Sequence, residues 1–181
     1  MSKVKHLLLV TDAWQPLING VVRTLGHTVA HLNSRGIKVT VVHPGLFRTM
    51  QLPTYKEIGV AMFPARKLHG IMKDSDANAI HIATEGPLGW AARRYCRRNG
   101  LPFTTSYHTQ FPEYVNLRTR IPRSFGYALM RYFHTPASNT FVALPSMKDL
   151  LVKRGFKHLH RWGRGVDTDM FRPAPDKGNI F

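Results

Sequence analysis

Cysteine is nearly absent: Cys96 stands alone in 181 residues. One thiol closes no internal disulfide, which excludes a disulfide-stapled scaffold and fits a reducing cytoplasm. Acidic residues are scarce as well, 10 against 26 Lys and Arg, for a formal net charge of +16 and an isoelectric point near 10.7. That balance calls for an anionic partner: nucleic acid, an acidic membrane surface, a phosphorylated substrate, or an acidic domain outside this sequence. No apolar run approaches the roughly 18 residues that a membrane-spanning helix needs. The opening MSKVKHLLLV has an apolar core too short for a signal sequence, and no small-residue cleavage site follows it. The 14 glycines and 12 prolines are spread along the chain, and neither low-complexity linkers nor internal repeats occur. No G-x-G-x-x-G and no Gly-Lys-Ser/Thr is present, which excludes the two commonest phosphate-loop signatures.

What is present is a folded chain. Hydrophobic residues make up 43%, and the length suffices for one domain with a sizeable core. VKHLLLV (4–10) reads as a buried parallel strand. Val21, Val22, Leu25, Val29 and Leu32 recur at helical spacing over 20–34, with Gly36 as the stop. IKVTVV (37–42) is the next strand, so the first unit is strand–helix–strand with a right-handed crossover. The alternation continues with a strand at 58–63, a short helix at 66–73, a strand at 79–84 and a helix from Pro87 stopped by Gly100. A strand at 103–108, a helix at 123–134, a strand at 140–144, a helix at 146–154 capped by Gly155 and a strand at 158–162 follow. This pattern predicts an α/β fold, a Rossmann-like doubly wound parallel sheet.

In such sheets ligands bind outside the carboxyl ends of the strands, and four loops there carry unusual residues. In DAWQPLING, an exposed Trp, a Pro and the Asn19-Gly20 pair stand between the first strand and its helix. Gly20 lets a ligand approach the backbone, and the helix start favours phosphate; an ordinary turn is the plain alternative. In ATEGPLG, Glu85 and Gly86 end a strand and Pro87 suits a first helical turn. Glu85 either serves that helix's N-terminus or accepts hydrogen bonds from a substrate hydroxyl. In TTSYHTQFPEY, His108 ends a strand, with Thr109 and Glu113 after it; a strand-end histidine is a candidate for function rather than packing alone. In RWGRGVDTDMFRP, Arg164 lies between Gly163 and Gly165, suited to pair with phosphate or to mark an exit hinge.

Three of these segments, DAWQPLINGVVRTL, IHIATEGPLGWAARRYCRRNGLPFTTSYHTQFPEY and RWGRGVDTDMFRP, occur in an order that resembles the N-terminal domain of a GT-B glycosyltransferase of family 4, the retaining group-1 class. The branch it resembles most includes bacterial enzymes that glycosylate lipids. The resemblance implies a nucleotide-sugar donor, UDP- or GDP-linked, and no essential metal. It places Asn19, Gly20 and Arg164 at the donor phosphates and His108 beside the transferring sugar, orienting a hydroxyl or supporting developing positive charge. Glu85, Gly86, Thr109 and Glu113 become substrate-binding, and no protein nucleophile is assigned. It also implies that residues 1–172 form an acceptor-side domain and 173–181 begin an interdomain linker. The second domain, with a basic pair and two glutamates seven positions apart, is missing: Glu57, Glu85 and Glu113 are the only glutamates, and none has that spacing. The expectation is an incomplete enzyme, inactive alone, whose other half is supplied in cis or in trans.

The resemblance implies a lipid or glycan acceptor, and acceptors in that branch are lipids of the anionic cytoplasmic leaflet, which gives the charge a second explanation and a peripheral cytoplasmic location. NLRTRIPRSFGYALMRYF mixes Arg118, Arg120, Arg123 and Arg131 with Phe125, Tyr127, Tyr132 and Phe133, a composition that suits either a membrane-interface helix or a packed helix with solvated arginines. Rivals come from other classes: a non-catalytic interaction domain, a nucleic-acid binder and a metal site. Arg93, Arg94, Arg97 and Arg98 cluster on one helix as in a phosphate-tracking nucleic-acid binder, although no nucleic-acid motif accompanies them and no nucleic acid is expected. His27 and His31 share a helix face at metal-ligand spacing but lack the glutamate of H-E-x-x-H, and read as a surface or packing pair.

Overall fold

The computed structural model describes residues 3–52, 55–108, 112–113, 122–163 and 165. In chain order these form β1 (His6–Val10), α1 (Gly20–Ser34), β2 (Lys38–Val42), β3 (Thr49–Leu52), β4 (Tyr55–Ala61), α2 (Ala65–Asp74) and β5 (Ala79–Ile82). α3 (Pro87–Arg98), β6 (Thr104–Tyr107), α4 (Arg123–His134), β7 (Asn139–Val142), α5 (Pro145–Lys153) and β8 (Leu159–Arg161) complete the series. Six strands make one parallel sheet in the order β2-β1-β5-β6-β7-β8.

The order reverses at β1. β2 lies on one side of it and β5 to β8 run off on the other. Crossovers keep one hand, so reversing direction along the sheet switches the face that the connecting helix covers. α1 therefore lies on one face, with Leu25 packed on Leu9 and Ala83. α2, α3 and part of α4 pack on the other, where Leu68, Leu88, Ala92 and Phe133 cover Leu8, Val10 and Ile82. α4 and α5 extend that second layer over β6 to β8 through Tyr127, Met130 and Leu151. β1 is apolar on both faces because both are covered, which is why HLLLV reads as a continuous run. Helices α1, α3 and α5 are followed by Gly36, Gly100 and Gly155, all at positive φ, the left-handed stop that glycine adopts without penalty.

One expectation is corrected. The strand expected at 58–63 is not part of the parallel sheet. β4 pairs antiparallel with β3 in a separate two-stranded hairpin, with a register shift between Gln51 and Leu52. The apolar run misled because its end stands in water: Met62 and Phe63 are exposed, and Phe63 has a positive φ.

Candidate functional site

The carboxyl edge of the sheet gathers the ends of β1, β5, β6, β7 and β8. Between β1 and β5, where the strand order reverses, the residue at work is Asp12. Its Oδ1 accepts from the Leu88 amide at 2.8 Å, and its Oδ2 accepts from the Gly89 amide at 3.2 Å and the Thr84 hydroxyl at 2.9 Å. Its own amide donates to Thr84 Oγ1 at 2.6 Å. These amides open α3, whose N-cap is Gly86 and has no side chain to offer. Gly86 is needed for a steric reason too, since a Cβ there would stand 2.4 Å from the Asp12 carboxyl carbon. Burial raises the Asp12 pKa above the ordinary carboxylate value, against the pull of the Leu88, Thr84 and Gly89 hydrogen bonds. The positive end of α3 is thus occupied by the chain's own carboxylate.

At α1 the arrangement is local. Asn19 Oδ1 accepts from the Val21 and Val22 amides, both at 2.9 Å. Gly20, the first helical residue, is exposed. Trp14, in the loop before it, is half-buried rather than exposed, because its ring lies 6.1 Å from that of His43.

The end of β6 divides between the two faces of the sheet. Thr104, Ser106 and His108 point to the α1 face, and Thr105 and Tyr107 to the α4 face. On the α1 face His108 lines a small pocket with Thr24, Phe141, Ala143 and Trp162, its ring 6.0 Å from that of Trp162. Beneath it is His81, buried. Its Nδ1 lies 2.8 Å from Thr104 Oγ1 and its Nε2 lies 2.9 Å from Ser106 Oγ, each a hydrogen bond. Burial, with a smaller contribution from His108, pushes the His81 pKa down to about 3, so it is a neutral strut at physiological pH.

On the α4 face His134 plays the matching part. Its Nδ1 shares a hydrogen bond with Thr105 Oγ1 at 2.9 Å, and Thr105 in turn meets Thr140 Oγ1 at 2.9 Å. Its Nε2 lies 3.2 Å from Glu85 Oε1. Of the two roles open to Glu85, helix capping is taken by Asp12; Glu85 instead pairs with α4. Glu113 accepts from the Tyr127 hydroxyl at 3.0 Å and from Arg123 Nε at 2.8 Å. On the same face is the buried Tyr107 hydroxyl, whose pKa is raised by burial and then by the charges of Tyr127, Glu85 and Glu113. Glu85, through His134, and Glu113, through Tyr127, thus lie on the Tyr107 face of the sheet, and His108 lies on the other. Carboxylates and an imidazole in that placement offer hydrogen bonds to the hydroxyls of a polyol.

Thr109, Arg118, Arg120 and Arg164 lie outside the described residues. Phe125 is 63% exposed, while Tyr127 and Phe133, expected beside it at a membrane interface, are core residues of the inner face of α4. Arg131 donates to the Arg154 carbonyl at 2.9 Å. Arg93, counted in the basic cluster on α3, is buried and donates to the Phe133 and Tyr132 carbonyls at 2.9 and 2.6 Å, so it caps α4 instead of tracking phosphates. His27 and His31 are exposed on α1, and among the described residues no three His, Cys, Asp or Glu side chains cluster as metal ligands. Cys96 is buried, and burial pushes its thiol up to about 12. Asp12, His81, Tyr107, His134 and Trp162 were not singled out from the sequence. The one signal for the histidines is the hydroxyl run Thr104-Thr105-Ser106 in a central strand, since buried hydroxyls need partners.

The family model for Glycosyltransferase Family 4 matches residues 18–170. A GDP-mannose-dependent alpha-mannosyltransferase of Mycobacterium tuberculosis is 24% identical over 191 residues, covering 93% of this chain and 50% of that protein. A protein of the same description from Corynebacterium glutamicum is 24% identical, over 93% and 45%. A sulfoquinovosyl transferase of Arabidopsis thaliana is 22% identical over 197 residues, covering 96% and 38%. Among solved structures, LpCGTa in complex with UDP is similar with a TM-score of 0.47 at 10% identity, over 93% of this chain and 56% of that one. The chain spans about half the length of the curated relatives it matches. With a parallel sheet of the expected class and a family match over most of its residues, the chain belongs to glycosyltransferase family 4.

Proposed function

We propose that this chain is the acceptor-side domain of a hexosyltransferase that moves a sugar from a GDP- or UDP-sugar to a lipid acceptor at the inner face of the membrane. The observation that carries the reading is the strand end of β6, which holds His108 against Trp162 on one face and Tyr107 with Glu85 and Glu113 on the other. In the reaction the bond from the anomeric carbon to the diphosphate oxygen breaks, the nucleoside diphosphate leaves with its electron pair and takes up the proton of the acceptor hydroxyl, and the acceptor oxygen forms the new bond to the anomeric carbon. His108 is the group beside the transferring sugar; its imidazole orients a hydroxyl or supports the charge developing on the ring. Glu85 and Glu113, with Gly86 and Thr109, take the hydroxyls of the substrate. The donor phosphates lie toward the Gly20 amide and Arg164. Arg118, Arg120, Arg123, Phe125 and Arg131 belong to the membrane side. A second, nucleotide-binding domain, in cis or in trans, completes the site, and this chain alone carries no transfer activity. No metal enters the scheme.

The test is sugar transfer by the full-length protein, with radiolabelled GDP-mannose or UDP-glucose and a lipid extract. Label enters the organic phase, and His108→Ala lowers kcat about a hundredfold with the fold intact. Label reaching only water-soluble products rejects the lipid acceptor, and full activity in His108→Ala rejects the site.

A further inference from the structure

Two buried histidines meet hydroxyls of β6, one on each face of the sheet, and they end differently. Both ring nitrogens of His81 meet hydroxyls, those of Thr104 and Ser106, and Thr104 reaches no further than the Ile80 carbonyl at 3.4 Å. That set closes inside the sheet. The set around His134, the last residue of α4, leads outward. The register Thr105↔Thr140 between β6 and β7 puts two hydroxyls 2.9 Å apart. Thr105 Oγ1 lies 2.9 Å from His134 Nδ1, and His134 Nε2 lies 3.2 Å from Glu85 Oε1. Thr105, Thr140 and His134 are buried, and the rings of Tyr107, Phe133 and Phe156 lie 5.7, 5.0 and 6.0 Å from the imidazole.

The chain has a direction. A carboxylate only accepts, so His134 Nε2 carries the hydrogen. A neutral imidazole then offers Nδ1 as an acceptor to the Thr105 hydroxyl, and the Thr105 oxygen accepts from Thr140. Every hydrogen is satisfied in that sense. An imidazolium would reverse it: Nδ1 would donate to Thr105, Thr105 to Thr140, and the buried Thr140 hydrogen would meet no acceptor among the described residues. The hydroxyls therefore set the tautomer.

The chain ends at the carboxyl edge. Glu85 follows β5 by three residues, and its side chain is 16% exposed against 2% for His134. Among the described residues His134 is the one hydrogen-bond partner of the Glu85 carboxylate, which leaves Oε2 to an outside donor. Packing alone does not call for this arrangement, since apolar side chains of the same shape would fill the space at no loss of stability. A fully satisfied polar chain does what they cannot, which is to orient the group at its end.

We propose that His134 is a positioning residue. It holds Glu85 Oε1 so that Oε2 stands ready as the acceptor for one hydroxyl of a polyol substrate, and Thr105 and Thr140 fix the tautomer that does so. The proposal rests on the reading of Glu85 as substrate-binding, although the chain behind it is measured separately.

The first readout is NMR of the imidazole nitrogens in this chain, where His134 is expected as the Nε2–H tautomer. An Nδ1–H tautomer, or two protonated nitrogens at neutral pH, overturns the proposal. The second readout is transfer kinetics of the full-length protein. Glu85→Ala is expected to raise one KM about tenfold with kcat nearly unchanged, as for the loss of one hydrogen bond to a charged group. Whether that KM belongs to the nucleotide sugar or to the acceptor tells which substrate carries the hydroxyl. His134→Phe fills the same aromatic-walled space without a donor and raises the same KM about fivefold, while His134→Gln, whose amide donates to Oε1, restores most of it. Glu85→Ala combined with His134→Phe costs no more than Glu85→Ala alone, because one residue acts through the other. Additive effects, or an unchanged KM in folded His134→Phe, overturn the positioning role and keep Glu85 as a substrate residue. Should His134→Phe not fold, Thr105→Val with Thr140→Val releases the chain behind an intact His134 and raises that KM about twofold; no rise there overturns the proposal equally. Unchanged KM values in Glu85→Ala reject the role of Glu85 in the proposed function, and this proposal with it. A full-length protein without sugar transfer rejects the proposed function and the use of Oε2 together, whereas the tautomer reports on the chain either way.

Discussion

Helices α1 and α3 start at the same edge of the sheet, and each has its free amides satisfied by a side-chain oxygen. At α1 that oxygen comes from Asn19, the residue just before the helix. At α3 it comes from Asp12, at the end of another strand and 76 residues before Leu88. The local cap trades one solvated turn for another. The distant cap fastens β1 to β5, because Asp12 also exchanges hydrogen bonds with Thr84. The chain thereby fills its own switch-point crevice at α3 and leaves Gly20 exposed at α1, the side to which the proposed function brings the donor phosphates.

The comparison breaks most visibly at Asp12. Asp12→Ala leaves the Leu88 and Gly89 amides and the Thr84 hydroxyl without their acceptor. The expected loss is about 3 kcal/mol, read as a lower urea midpoint. A loss no larger than that of an ordinary cap would show that water replaces the carboxylate and that the cross-strand tie carries little.

A smaller, pH-dependent effect separates the charge from the hydrogen bonds. Burial holds the folded-state pKa of Asp12 above 3.8, so the folded protein binds this proton more tightly than the unfolded chain does. Its contribution to stability is full below the unfolded value and is lost as pH rises through the raised one. Asp12→Asn, which does not ionise, is expected to flatten the part of the stability–pH curve that lies above the ordinary carboxylate value of 3.8. An unchanged slope would assign it to other groups.

Much of the fold was legible in the sequence because it is set by local periodicity. α1 runs over 20–34 and α4 over 123–134, as the apolar spacing predicts, and Gly36, Gly100 and Gly155 end their helices as stops. The β3–β4 hairpin was not legible, since an apolar run states burial tendency and not the partner strand. Nor were the struts under the site. His81 meets Thr104 because β5 and β6 pair in the register His81↔Thr104, and His134 meets Thr105 from a helix on the opposite face. Those contacts follow from sheet order and crossover hand, which periodicity does not carry. His108 and Glu85 were legible as residues following strands, and Glu113 as one further along the β6 loop; the face each takes was not, because the β6 alternation and the α4 partners His134 and Tyr127 decide it.

The smallest expected effect sharpens the comparison from the other side. Asn19→Ala removes one acceptor from two amides at a partly solvated helix start, where water can take its place, and the expected cost is about 1 kcal/mol in the same urea titration. Asn19→Asp keeps the acceptor and adds a negative charge at the positive end of α1, which favours stability by a few tenths of a kcal/mol. Under the proposed function that same charge would repel a diphosphate brought to Gly20 in the full-length protein, so Asn19→Asp should raise the KM for the nucleotide sugar while the stability holds or rises. The two readouts moving in opposite directions is what a helix start shared between folding and donor binding requires. Both moving together would leave Asn19 a cap like Asp12, and the two ends of the sheet edge would then differ only in how far away their caps come from.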